Sequence, residues 1–106
     1  MGEWVDVAPT AEIGPESWRT VDVDGTDIAV FNVNGEYYAI EDMCTHDGEI
    51  LSGGTVTGKE ITCPRHGARF SLITGEVLGP PAYEPVRTFA VRVKDGMVQV
   101  KDDRRA

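Results

Sequence analysis

Three dipeptides constrain this chain most. Asp24-Gly25 lies between "TVDV" and "DIAVF", Asn34-Gly35 between "AVFNV" and "EYYAI", and Asp95-Gly96 between "FAVRVK" and "MVQV". Asp-Gly and Asn-Gly accept the positive backbone dihedrals that two-residue hairpin turns demand. The flanks are rich in Val, Ile, Phe, Tyr and Thr, which suit a pleated, half-buried surface. "VTGKEIT" and "FSLITGEVL" add hairpins around Gly58 and Gly75. In "FAVRV", Phe89, Val91 and Val93 fall on one face and Ala90 and Arg92 on the other. Helical periodicity is almost absent, the best short candidate being "APTAEIG" with Thr10 capping a turn that contains Glu12. About ten short strands with regular turns predict an all-β, antiparallel sandwich or barrel. No repeat, low-complexity stretch or linker interrupts the pattern, so residues 1–106 read as a single domain. The final "KDDRRA" reads as a charged, frayed terminus.

Charge and hydropathy exclude several classes. No apolar run approaches the ~20 residues of a membrane helix. "MGEWVDVAPT" has neither the basic flank nor the apolar stretch of a signal peptide, so a cytoplasmic protein with no membrane attachment is expected. The net charge of −8 is uneven: residues 1–43 carry ten acids against Arg19 alone, while residues 44–106 carry eight acids and nine bases. No basic face offsets phosphates, so nucleic acid is not an expected partner. The acidic half favours solubility and, secondarily, steering toward a basic partner.

The chemistry concentrates in two short segments. "CTHDG" begins at Cys44 and "CPRHGARF" at Cys63, and together they hold the only two cysteines and two histidines of the chain. Both segments adjoin predicted hairpins and contain a glycine, Gly48 or Gly67, so two loops can converge at one end of a sheet. A Cys44–Cys63 disulfide would leave the histidines unexplained, and nothing points to an oxidising compartment. A tetrahedral zinc site would suit four such ligands, although zinc fingers usually pair Cys with Cys and His with His. A [2Fe–2S] cluster with two Cys on one iron and two His on the other accounts for the mixing within each loop.

Here the chain resembles the Rieske family. Cys44-Thr45-His46 and Cys63-Pro64-Arg65-His66-Gly67 match its two ligand boxes, and "GPPAYEPV" from Gly79 looks like its proline-containing loop beside the cluster. The resemblance implies a Rieske fold: an antiparallel β-sandwich with a smaller cluster-binding subdomain of two ligand loops, at about residues 42–82. It implies one [2Fe–2S] cluster per chain held by Cys44, His46, Cys63 and His66. It is similar to the ferredoxin components of bacterial multicomponent aromatic-ring dioxygenases. That implies a non-catalytic, monomeric one-electron carrier between an NAD(P)H-dependent flavoprotein reductase and a terminal Rieske oxygenase. Alternatives are a protein like the nitrite reductase small subunit, a redox-regulatory Rieske domain or, in another class, a zinc-stabilised binding module.

Departures from the family pattern sharpen the expectation. Quinol-oxidising members carry an extra cysteine in each box, joined as a disulfide; this chain has Glu49 and Arg65 there. An ion pair between them would do part of the same tethering. High-potential members place Ser after the His-Gly and Tyr two residues on, both donating to sulfur; this chain has Ala68 and Phe70. Without those donors the reduced state is less stabilised, and a low potential is expected. The aromatics receive structural readings: Trp4 and Trp18 as core or strand residues, Tyr37 and Tyr38 as one core and one surface residue, and Tyr83 as packing under the proline loop.

Overall fold

The computed structural model describes residues 4–45, 48, 50–64 and 67–101. In all three Asp-Gly or Asn-Gly turns both residues have positive φ: 51° and 84° at Asp24-Gly25, 54° and 87° at Asn34-Gly35, 53° and 77° at Asp95-Gly96. That pair of signs is the type I′ turn, whose twist matches the strands it joins. At Gly58-Lys59 only the glycine is positive, at 60°, as in a type II′ turn.

The strands so connected are β1 (Trp4–Pro9), β2 (Trp18–Val23), β3 (Thr26–Val33), β4 (Glu36–Glu41), β5 (Thr55–Thr57), β6 (Glu60–Thr62), β7 (Arg69–Ser71), β8 (Val77–Gly79), β9 (Thr88–Lys94) and β10 (Met97–Lys101). They form a six-stranded sheet in the order β1-β10-β9-β4-β3-β2 and a four-stranded sheet in the order β5-β6-β7-β8. Every pairing is antiparallel. The larger sheet curls until its edge strands β1 and β2 touch. The fold is therefore all-β and antiparallel, as the turn pattern predicts.

Strand β3 serves two cores at once. Ile28 and Val30 point into the curl of the large sheet with Ile13, Val98 and Val100. Ala29, Phe31 and Val33 point the other way, against Leu51, Ile61 and Phe70 from the small-sheet region. Its near-continuous apolar run reflects burial on both faces. Fully burying a side chain such as Phe70 contributes roughly 1.5–3 kcal/mol, so this second core fixes the small sheet onto the large one. Asn32 is buried on the same strand. Its amide nitrogen donates to the Ile13 carbonyl at 2.8 Å and its amide oxygen accepts from Gly35 N–H at 2.8 Å.

Some local expectations differ. Thr10 does not cap: it begins a three-residue 3₁₀ turn, Thr10–Glu12, whose cap position is Pro9, with no side-chain cap bond. Both tyrosines of β4 are half-buried, because Tyr38 packs on one core and Tyr37 on the other. Trp18, expected as a core or strand residue, is the strand kind: it opens β2 and is 43% exposed. Trp4 lies on the outer sheet surface with the Arg92 guanidinium 4.2 Å above its ring. In β9, Phe89 and Val91 pack inward while Val93, on the same face, is exposed near the strand end.

Candidate functional site

Strand β4 leads into the first cysteine. Asp42 extends the β3–β4 pairing by donating its N–H to the Asp27 carbonyl at 2.8 Å. The chain then bends at Met43, and the Cys44 carbonyl accepts the Gly48 N–H at 2.7 Å. The second cysteine follows β6. The Cys63 carbonyl accepts the Gly67 N–H at 3.2 Å, and the Cys63 N–H donates to the Ala68 carbonyl at 2.7 Å, after which β7 begins. Each cysteine thus opens a single five-residue turn closed by an i to i+4 bond. Each turn ends on a glycine of positive φ, 77° at Gly48 and 81° at Gly67, a conformation that costs a residue with a side chain about 1–2 kcal/mol.

The two turns meet inside the molecule. Cys44 is 1% and Cys63 2% exposed, and both lie in one apolar cluster with Leu51, Ala68, Phe70 and Ala82. Neither is joined in a disulfide. The structure therefore brings together two of the four residues singled out in the sequence. His46 and His66, and also Glu49 and Arg65, lie outside the described residues.

Around the turns stand contacts that the sequence does not announce. The Asp42 carboxylate accepts the Ser52 N–H at 2.6 Å on one oxygen and the Ser52 hydroxyl at 2.7 Å on the other. The Thr45 hydroxyl donates to the Glu84 carbonyl at 2.6 Å, binding the first turn to the segment after Pro80-Pro81. Gly54 sits where a Cβ would collide with the Thr62 carbonyl oxygen and come within 3.0 Å of the Leu51 carbonyl and 3.3 Å of the Pro64 ring. The exit of the first loop is thus pressed against the entrance of the second. Among the described residues no buried side-chain nitrogen or oxygen lacks a partner.

The surface beside the first turn is mixed. An open cleft of about 260 Å³ is lined by Asp27, Glu41, Met43, Gly48 and Ile50 among others. Met43 and Ile50 are exposed, and Tyr83 is 86% exposed rather than packed under its loop. Farther along, Tyr38 donates its hydroxyl to Glu36 at 2.7 Å, and Lys59 approaches the same carboxylate at 3.4 Å. The Tyr38 hydroxyl first, and Lys59 second, hold the Glu36 carboxyl below its ordinary range. Tyr38 and then Glu36 hold the Lys59 ammonium above its own.

The architecture recurs in known proteins. The family model for the Rieske [2Fe-2S] domain matches residues 3–90. The ferredoxin component of the naphthalene 1,2-dioxygenase/salicylate 5-hydroxylase systems of a Ralstonia species is 36% identical over 98 residues, covering 92% of this chain and 94% of that protein. A chain in the complex of reduced oxygenase and oxidised ferredoxin of carbazole 1,9a-dioxygenase superimposes with a TM-score of 0.90 at 36% identity, covering 97% of this chain and 96% of the other. A Mycobacterium tuberculosis chain described as a nitrite reductase small subunit reaches a TM-score of 0.88 at 23% identity over 99% of both chains, a likeness of fold alone.

Proposed function

Because the chain belongs to the Rieske [2Fe-2S] domain family, we propose that it is the ferredoxin of an aromatic-ring dioxygenase system, a one-electron carrier without catalytic activity of its own. The observation that carries this reading is the pair of equivalent turns, each delivering one buried thiol outside any disulfide into a single apolar cluster. Two soft ligands so placed fit the cysteine-bound half of a Rieske centre. Cys44 and Cys63 hold one iron of a single [2Fe–2S] cluster, and His46 and His66 hold the other. When bound, the cluster supplies one-electron redox chemistry. Residues 1–106 act as one domain, with residues 42–82 as the cluster-binding part.

This chain's residues set the conditions of that chemistry. The apolar cluster around the thiols excludes water and lowers the local dielectric, which tunes potential. Ala68 and Phe70 are fully buried in it and have no hydroxyl to donate. The potential therefore lies toward the low end of the Rieske range, about −150 mV. Electrons arrive from an NAD(P)H-dependent flavoprotein reductase and leave to a terminal oxygenase; the ferredoxin–oxygenase complex of the carbazole system supports the second partner. Met43 and Ile50, exposed beside the first turn, and Tyr83 offer apolar contact. The acids Asp27 and Glu41 in the same cleft favour a partner with basic groups. A small, transient interface of this kind suits a carrier that must leave after each transfer. The carrier acts as a monomer in the cytoplasm. No helix among the described residues is long and apolar enough to cross a membrane.

Reconstitution tests the reading. The red-brown protein, mixed with a reductase and oxygenase of an aromatic-ring system, should support NAD(P)H-dependent substrate oxidation that stops when it is left out. A colourless, zinc-loaded protein would replace this reading with a zinc-stabilised module. An iron–sulfur protein that serves no oxygenase would return it to the nitrite-reductase-like or regulatory alternatives.

A further inference from the structure

The bases of the two turns are closed by different means. At the second, main chain does the work: Thr62 pairs with Arg69 across β6 and β7, and Cys63 N–H reaches the Ala68 carbonyl. The first turn runs from β4 to β5, which belong to different sheets, so no ladder closes it. Asp42 spans the gap instead. Its own N–H is anchored on the Asp27 carbonyl of β3, and its two carboxylate oxygens take the N–H and the hydroxyl of Ser52, ten positions away. The group is 8% exposed, so water competes little for these bonds. Leu51, next to Ser52, is fully buried in the cluster that holds both cysteines.

We infer that Asp42 is a positioning residue for the metal centre: its carboxylate, locked to Ser52, closes the base of the first loop and thereby sets where Cys44 stands. The inference rests on the Rieske reading above. One residue separates Asp42 from Cys44, so any displacement of the clamp passes directly into the cysteine backbone. Hydrogen bonds to an ionised acceptor are the stronger kind. Without them the closing of the loop against its own chain entropy is left to weaker supports such as the burial of Leu51 and the Thr45–Glu84 bond. Asp42 acts through Cys44.

The test compares the purified holoprotein with Asp42→Ala, Asp42→Asn and Ser52→Ala. Electron paramagnetic resonance of the reduced protein, reduction potential, iron release to a chelator and thermal unfolding are read on each. Asp42→Ala should release iron roughly 10- to 100-fold faster, the factor expected for loss of hydrogen bonds to a charged group. Its g values and linewidths should shift while the β-sheet circular dichroism is kept. Asp42→Asn keeps an oxygen for the Ser52 N–H and an amide that can donate to the Ser52 oxygen, so it should recover most of the parent's behaviour. Ser52→Ala, which keeps the backbone bond, should fall between. Variants that melt earlier but keep the parent's g values, potential and iron-release rate would overturn the inference, leaving Asp42 a structural residue. If Asp42→Ala fails to fold, Ser52→Ala decides by the same criterion. A parent with no Rieske signal would overturn the family-based reading itself, and the inference with it.

Discussion

The Cys44 turn and the Cys63 turn are the same backbone device in two settings. Both close with a cysteine carbonyl on a glycine N–H four residues later, and both end in a left-handed glycine. The second sits at the head of a β-hairpin and inherits its rigidity from the ladder. The first bridges two sheets and is held by side chains, Asp42 to Ser52 and Thr45 to the Glu84 carbonyl. The same local geometry can thus be reached through main-chain pairing, which many sequences satisfy. It can also be reached through a few side chains, where each substitution is felt. Substitutions around the first turn should loosen that turn alone, and those at the seam should disturb both.

The largest effect is expected at the seam. In Gly54→Ala the new Cβ meets two carbonyl oxygens of rigid backbone, so either the first loop or the start of the second must move. A loss of about 3 kcal/mol, the upper part of the overpacking range, should appear in chemical denaturation, with iron lost from both sides of the site. Retention of parent stability would show that the loops are not pressed together there.

Next come the missing hydroxyls, which belong to the second turn only. A sulfur donor stabilises the more negative, reduced state. Ala68→Ser and Phe70→Tyr should therefore each raise the potential, by on the order of 60–90 mV per bond gained. Voltammetry of the two single variants and the pair checks this. An unchanged potential in both would show that the absent hydroxyls do not set the potential.

A smaller effect is expected from Thr45→Val, which deletes one hydrogen bond of the first turn at nearly constant volume. Stability should fall by about 1 kcal/mol. Amide exchange should accelerate at Gly48 and not at Gly67. Equal acceleration at both glycines would contradict the separation of the two turns.

The smallest effect concerns the Glu36–Tyr38–Lys59 group, which links β4 to the β5–β6 turn and lies in solvent. The lowered Glu36 value stabilises the fold above the ordinary carboxylate pKa, and this is lost as pH falls through the lowered folded value. The raised Lys59 value stabilises it below the ordinary lysine pKa, and this is lost as pH rises through the raised folded value. Between those limits the contribution is constant. Glu36→Gln should remove the acid limb of stability against pH, weaken the alkaline limb that Lys59 supplies, and leave both turns unchanged. A change in iron retention at neutral pH would show coupling that the comparison does not include.

What the sequence disclosed follows the same division. Asp24-Gly25, Asn34-Gly35 and Asp95-Gly96 were legible because few other residues tolerate paired positive dihedrals, and each is local. The two cysteine turns were legible as motifs because spacing and glycine lie within five residues. Asp42 with Ser52, Thr45 with Glu84, and Gly54 against Thr62 were not, since each partner is chosen by the folded path rather than by neighbours in the chain. The tyrosines of β4 were read as one in and one out because alternation assumes a single buried face; here the sheet has a core on each side. Tyr83 was placed under its loop by the same habit of burying aromatics, and it stands in solvent instead.

A low-potential Rieske carrier built on two buried cysteine turns has a defined electrochemical signature. Direct voltammetry of the purified protein, from mildly acidic to alkaline pH, tests it most directly. The expected result is a reversible one-electron wave near the lower limit of Rieske centres, about −150 mV. A wave near the upper limit, about +300 mV, or no wave from a fully folded protein, would contradict it.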